Sequence, residues 1–237
     1  MTVETAHPGP VLRQALGLWA VAFAAIVAVS ILAPPPWAKV TAVVAFLYLP
    51  LAAMRGTNED ARDYGVTFQR WRTDLLLALA FLAIVTPLFL LGYELWFRHV
   101  LPRGPGGPPP GIAFHARLPP GYGWSNVVDE VFVTALPEEF FYRGWLQARL
   151  KRVWPGGARI AGVVVGPAFL LTAALFAVGH LAIFRASRLL VFFPALLFGW
   201  LRERTGTVVG STLFHAGCNI LAQVAAASVV PLWEGRG

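Results

Sequence analysis

The sequence predicts an all-α polytopic membrane protein, in which about seven transmembrane helices surround a polar intramembrane cavity. Of its 237 residues, 57% are hydrophobic and 13% are charged, whereas soluble domains have about 45–50% apolar and about 25% charged residues. The mean hydropathy of +0.63 excludes a disordered chain and argues against a water-soluble globule. The apolar residues gather in long runs, and about 20 of them are needed for a helix to cross the hydrocarbon core. We therefore expect a single membrane domain over residues 1–237, with the lipid bilayer as a partner.

Seven apolar runs follow one another along the chain, and each is expected to form one span. They cover residues 16–33, 40–54, 75–97, 125–153, 160–184, 189–201 and 207–232. The first three form an N-terminal group within residues 1–97. The residues before the first run lack the basic start of a secretory signal, so we expect this run to remain as an anchor. The last four runs, within residues 124–232, contain the polar residues and are expected to form the functional part.

A different kind of segment, residues 98–123, separates these two groups. It contains seven prolines and six glycines. Such a composition is incompatible with a regular helix and predicts an exposed, partly stiff loop. The loop is either a linker or a flap over a site, and the sequence leaves both interpretations open.

The basic residues indicate membrane topology. The net charge is +7, but Lys and Arg occur in short clusters between apolar runs, so we expect no nucleic-acid partner. With a cytoplasmic N-terminus, eleven of them fall on the cytoplasmic side and seven on the other, which places the C-terminus outside. A composition rich in Ala, Gly and Arg is typical of high-GC bacteria, so we expect the bacterial inner (cell) membrane. The single cysteine, Cys218, excludes a disulfide framework and a cysteine-based zinc finger.

Charged residues inside the fourth run are candidates for function, because ionisable groups are costly in a bilayer. Glu139 and Arg143 are four residues apart, with the acid first, which favours an ion pair on one helix face. Glu138 has no such partner in its own helix and is therefore available as a general base. The alternative is a buried packing network between helices. Asp129 and Glu130 lie near the start of the same helix, where acids complement its dipole, and are expected to be interfacial.

Two further polar pairs with the same spacing lie in the fifth and seventh runs. Phe176 and His180 share a helix face, so the phenyl ring can pack against the imidazole and fix its orientation. His215 and Asn219 also share a face, with small residues between them that allow another helix to approach closely. Each histidine alone could be an ordinary hydrogen-bonded core residue. A thiol–imidazole pair of Cys218 with His215 is disfavoured relative to a cysteine packed between helices.

These three motifs together resemble the CAAX-processing and bacteriocin-processing (CPBP) intramembrane endopeptidases, also called type II CAAX prenyl endopeptidases. The motifs are Glu138-Glu139-x-x-x-Arg143, Phe176-x-x-x-His180 and His215-x-x-x-Asn219, and the similar region covers about residues 125–230. The resemblance implies a multi-helix membrane endopeptidase. It implies that Glu138 and His180 hold and activate the attacking water, and that His215 and Asn219 stabilise the oxyanion. Glu139, Arg143 and Phe176 would support the site.

The resemblance leaves the catalytic type open between a glutamate protease and a metalloprotease. We favour water activation without a cofactor or metal. If a divalent metal such as zinc takes part, Glu138, His180 and His215 would be its ligands, since zinc accepts a His₂Glu set.

The function expected from the sequence is therefore that of an intramembrane endopeptidase that uses a glutamate-activated water. Its substrates would be membrane-associated peptides or proteins, and it would process C-terminal or leader segments of exported or membrane-anchored proteins. The alternative is a non-catalytic membrane protein, such as a transporter, an immunity protein or a scaffold. In that case the buried Glu, Arg and His would form a structural network or a proton path.

Overall fold

The computed structural model describes residues 8–96 and 112–231, and these segments are mostly helical. The helices are α1 (Pro8–Leu32), α2 (Pro35–Met54), α3 (Trp71–Leu95), α4 (residues 124–153), α5 (Pro167–Gly179), α6 (Phe192–Thr205) and α7 (Val209–Ala227). Four three-residue strands form two small sheets outside the helical body. The prediction of a predominantly α-helical chain is thus confirmed.

The N-terminal helices have the length and composition of membrane spans. Within the described residues, three helices are long and apolar enough to cross a bilayer: Gly9–Leu32, Pro35–Met54 and Trp71–Leu95. Pro35 occupies the first turn of α2, where its missing N–H is not needed. Most side chains of these helices are exposed in the isolated chain, as expected for surfaces that contact lipid. The later helices are shorter or more polar, so the total of seven spans remains a prediction.

Helix α4 contains most of the charged residues singled out in the sequence. Its α-helical turns alternate with two π-helical stretches, Asp129–Ala135 and Phe140–Leu146. Such wider turns are frequent at functional sites. Every residue from 139 to 147 is buried. The middle of α4 therefore lies at the centre of the helical body, and the two glutamates lie between its π-helical stretches.

The fifth and sixth runs depart from the predicted spans. Residues 158–165 form an antiparallel hairpin of β2 (Ala158–Ile160) and β3 (Val163–Val165), so the helix expected from residue 160 begins only at Pro167. Its 13 residues extend about 20 Å, less than the hydrocarbon thickness of about 30 Å. After α5 the chain forms 3₁₀ turns at His180–Ile183 and Ala186–Val191. His180 therefore terminates a short helix inside the protein.

The loops gather at two opposite ends of the helical body. At one end, which we call the basic end, the α2–α3 loop contacts the end of α4 through Glu59 and Arg149, whose carboxylate and guanidinium lie 2.6 Å apart. The backbone N–H of Val208 there donates to Gly65 O over 2.9 Å. At the other end, Lys39 of α2 forms an ion pair with Asp129 of α4.

The end opposite the basic end also contains a small sheet. Strand β1 (Ile112–Phe114) pairs antiparallel with β4 (Val229–Pro231), so the last part of the Pro/Gly-rich segment is attached to the chain just after α7. The rest of the predicted linker or flap, residues 98–111, lies outside the described residues.

Candidate active site

Three helices bring the predicted site residues towards the centre of the protein. Glu138 and Glu139 lie on α4, His180 follows the last residue of α5, and His215 and Asn219 lie on α7. Helix α7 packs against α3, α6 and the first π-helical stretch of α4. The three motifs are thus close in space although they are far apart in sequence.

His215 lies between the two adjacent glutamates. Its Nδ1 is 3.0 Å from Glu139 Oε1, and its Nε2 is 3.8 Å from Glu138 Oε2. Since a carboxylate only accepts hydrogen bonds, His215 Nδ1 must carry a hydrogen and donate the hydrogen bond to Glu139. A neutral His215 then offers only a lone pair at Nε2, whereas a protonated His215 offers an N–H there. The ring of Phe198 stacks on the imidazole with a centroid distance of 4.7 Å and fixes its plane.

Glu139 also contacts Arg143, as their spacing predicts. Arg143 Nη1 lies 3.2 Å from Glu139 Oε1, and both side chains are fully buried. The guanidinium carbon lies 4.1 Å from the centroid of the Phe176 ring, and Nη2 donates to Ala195 O over 3.3 Å. When His215 is protonated, the charges of the two glutamates, Arg143 and His215 sum to zero.

Among the described residues, two cavities include site residues in their walls, and Glu138 and His180 line the smaller one. This cavity has a volume of about 290 Å³ and lies between α1, α2, α4 and the end of α5, with Lys39 and Tyr142 also in its wall. Glu138 is 19% exposed, and within the described segments its Oε2 has no hydrogen-bond partner. His180 Nδ1 donates to Phe176 O over 2.9 Å, which leaves the lone pair of Nε2 available.

The larger cavity shares His180 with the smaller one. Its volume is about 660 Å³, and its wall is mostly apolar, with His180, Arg188, His215 and Asn219 among the polar lining residues. Among the described residues only His180 lines both cavities. The four residues proposed for catalysis therefore do not line one common cavity: Glu138 faces the smaller one, and His215 and Asn219 face the larger one.

The sequence reasoning missed a contact of Asn219. Asn219 Nδ2 donates to Glu130 Oε2 over 3.0 Å, and Gln223 Nε2 donates to Glu130 Oε1 over 2.7 Å. Glu130 was expected to be an interfacial acid, as was Asp129, which pairs with Lys39. No spacing in the sequence indicates this contact, because Glu130 and Asn219 lie on different helices and are 89 residues apart.

The metal alternative finds no support in the arrangement of the ligands. Within residues 8–96 and 112–231, no three His, Cys, Asp or Glu side chains are grouped so that they could hold a metal ion. Glu138, His180 and His215 are therefore not grouped as a ligand set in this structure.

One comparison with known proteins gives a match. Residues 120–221 match the family described as type II CAAX prenyl endopeptidase Rce1-like. The matched segment includes all three motifs and confirms the resemblance inferred from them, over less than half of the chain. No curated protein and no solved structure matches. The long apolar helices indicate an integral membrane protein, and over residues 120–221 the chain is similar to the type II CAAX prenyl endopeptidases.

Proposed function

We propose that this chain is an intramembrane endopeptidase that hydrolyses peptide bonds of membrane-associated substrates with a water activated by Glu138. The supporting observation is the position of His215 between Glu139 and Glu138, at 3.0 and 3.8 Å, within the segment that matches the peptidase family. The carboxylate of Glu138 can act as the proton acceptor, and the oriented imidazole of His215 beside it can act as a hydrogen-bond donor.

In the proposed reaction, the water lies between Glu138 and His180. Glu138 accepts one proton of the water, and His180 Nε2 accepts a hydrogen bond from the other O–H, since its Nδ1 proton is already donated to Phe176 O. The water oxygen attacks the carbonyl carbon, and the electron pair of the C=O bond moves to the carbonyl oxygen. As the C–N bond breaks, Glu138 returns the proton to the leaving amine.

The developing negative charge on the carbonyl oxygen requires donors on the side of α7. His215 can donate there only from a protonated Nε2, because its other nitrogen donates to Glu139. The remaining N–H of Asn219 is the second donor. Donors that are fixed before the reaction stabilise the transition state more than the substrate, which is the basis of oxyanion catalysis.

The larger cavity supports an apolar peptide as the substrate. Its wall consists mostly of apolar side chains of α3, α6 and α7, with Arg188 as a charged residue in its lining. An apolar segment of a membrane-associated protein can pack against such a wall without burying unpaired polar side chains. We propose C-terminal or leader segments of exported or membrane-anchored proteins as the natural substrates.

The test is the single substitution Glu138→Gln in the detergent-purified full chain, assayed on apolar peptides by mass spectrometry. We expect cleavage to fall by at least about 10²-fold, the lower range of general acid–base contributions. Glu203→Gln is the matched control, because Glu203 binds Gln147 and Lys151 at the basic end, away from both cavities. Cleavage by Glu138→Gln at the wild-type rate would refute the proposal.

A second arm addresses the catalytic type. Wild-type protein is assayed after treatment with a chelator and after readdition of Zn²⁺. Unchanged activity agrees with the proposed mechanism. Activity that is lost on chelation and restored by Zn²⁺ would contradict water activation by the glutamate alone.

A further inference from the structure

A carboxylate on α4 determines how Asn219 is presented to the larger cavity. Glu130 lies 89 residues before Asn219 in the sequence, and its two oxygens accept from two residues on one face of α7, Asn219 and Gln223. The donor–acceptor distances of 3.0 and 2.7 Å are those of ordinary charge-assisted hydrogen bonds. Glu130 is therefore held at both oxygens and cannot turn without losing one of these contacts.

The chemistry of this contact fixes the orientation of the Asn219 amide. An ionised carboxylate can only accept hydrogen bonds, so the atom of Asn219 that faces Glu130 must be the nitrogen. Rotation of the amide by half a turn would place two oxygens against each other. One N–H of Asn219 is thus committed to Glu130, and one N–H remains for the cavity that Asn219 lines together with His180 and His215.

We propose that Glu130 is a positioning residue for the hydrolysis proposed above, acting on the reaction through Asn219 alone. This role rests on the proposed function, in which the remaining N–H of Asn219 contacts the oxyanion. Without Glu130, the amide is free to rotate and to present its oxygen to a developing negative charge. Glu130 then affects the transition state and not the binding of the substrate.

The neighbouring acid provides a matched control. Asp129 precedes Glu130 on the same helix and has the same charge, but its partner is Lys39 of α2. A change that merely removes a negative charge from this end of α4, or loosens the helix, should have similar effects at both positions. A change that acts through Asn219 should be confined to Glu130.

The experiment is a double-mutant cycle on activity with Glu130→Ala, Asn219→Ala and the double variant, using one peptide substrate. We expect Glu130→Ala to lower kcat by up to about 10²-fold, the effect of losing one oxyanion donor, with little change in KM. The double variant should be no slower than Asn219→Ala alone. Asp129→Ala should retain the wild-type kcat.

Glu130→Gln tests the same role by rescue relative to Glu130→Ala, and Glu130→Leu replaces the alanine variant as the reference if Glu130→Ala does not fold. The Gln oxygen can still accept from Asn219, while its amide nitrogen donates to a turned Gln223 side chain, so we expect kcat to recover towards wild type. Multiplicative losses in the double variant would overturn the positioning role, as would an equal loss in Asp129→Ala. Full activity of Asn219→Ala would overturn it as well, whereas the proposed function as a whole fails only if Glu138→Gln remains active.

Discussion

Replacing Glu139 by alanine should destabilise the protein far more than replacing the adjacent Glu138. Glu139 is completely buried and contacts both Arg143, at 3.2 Å, and His215, at 3.0 Å. Its removal leaves the guanidinium of Arg143 buried without a carboxylate. The remaining contacts of Arg143, with Ala195 O and with the ring of Phe176, provide no compensating negative charge.

The size of the effect follows from the burial of the pair. Removing one partner of a buried ion pair costs about 3–5 kcal/mol, because the other charge is left uncompensated. For a chain of this size, 1 kcal/mol corresponds to about 2–4 °C in the melting temperature. We therefore expect Glu139→Ala to lower the melting temperature by about 6–20 °C.

The assay is thermal unfolding of the detergent-solubilised full chain, with Glu138→Ala as the control. Glu138 is adjacent in sequence and partly exposed, and within the described residues its Oε2 has no hydrogen-bond partner. Its Oε2 lies 3.8 Å from His215 Nε2 and makes no hydrogen bond to a described residue that would be lost, so the melting temperature should fall much less than in Glu139→Ala. A second variant, Glu139→Ala with Arg143→Leu, should recover part of the loss, since no buried charge is left unpaired.

Three outcomes would refute this reasoning. The first is a melting temperature of Glu139→Ala within error of the wild type. The second is an equal loss in Glu138→Ala, which would mean that the two glutamates have equivalent surroundings. The third is a double variant with Arg143→Leu that is less stable than Glu139→Ala, because the ion pair would then not account for the loss.

Two further predictions concern stability at other positions. Partial burial raises the pKa of Glu59, but hydrogen bonds from Tyr64 and Arg152, together with the nearby arginine charges, outweigh it and hold the pKa below 4.5. Its contribution to stability is complete at neutral pH and is lost as the pH falls from about 4.5 towards the lowered value, so the melting temperatures of wild type and Glu59→Gln should differ at pH 7 and converge in acid. Gly210→Ala should destabilise the protein by about 1–3 kcal/mol, because its Cβ would lie 2.9 Å from Asp74 Oδ1. In Gly92→Ala the new methyl group meets no atom within 4 Å, and the melting temperature should not fall.

The parts of the site that depend on one helix could be predicted from the sequence. The contact of Glu139 with Arg143 follows from a spacing of four residues on α4, and so does that of Phe176 with His180, whose ring centroids lie 4.5 Å apart. Both need only the geometry of an α-helix. The order of the apolar runs likewise predicted where most helices lie.

Contacts between helices could not be obtained in this way. The bond of His215 to Glu139 joins residues 76 positions apart, and its existence depends on how α7 packs against α4. The hairpin at residues 158–165 was missed for a different reason. A run of valines such as 163–165 is equally apolar in a strand and in a helix, so hydrophobicity alone cannot distinguish them. The local sequence signal for a strand pair was Gly162, because a tight hairpin turn needs a residue with positive φ, which glycine adopts readily. Its φ in the structure is 84°.

The division of the site between two cavities constrains the proposed reaction. Glu138 faces the smaller cavity, Asn219 faces the larger one, and His180 lines both. In the proposed reaction, a water bound to Glu138 and a carbonyl oxygen bound to Asn219 therefore occupy different cavities, which share His180. On the proposed mechanism, the scissile peptide bond lies across the edge of His180, with its carbonyl oxygen directed towards α7. Since His180 Nδ1 donates to Phe176 O, the proposed mechanism has Nε2 accept a hydrogen bond from the water. A ring rotated by half a turn would place a C–H group there, which cannot accept it.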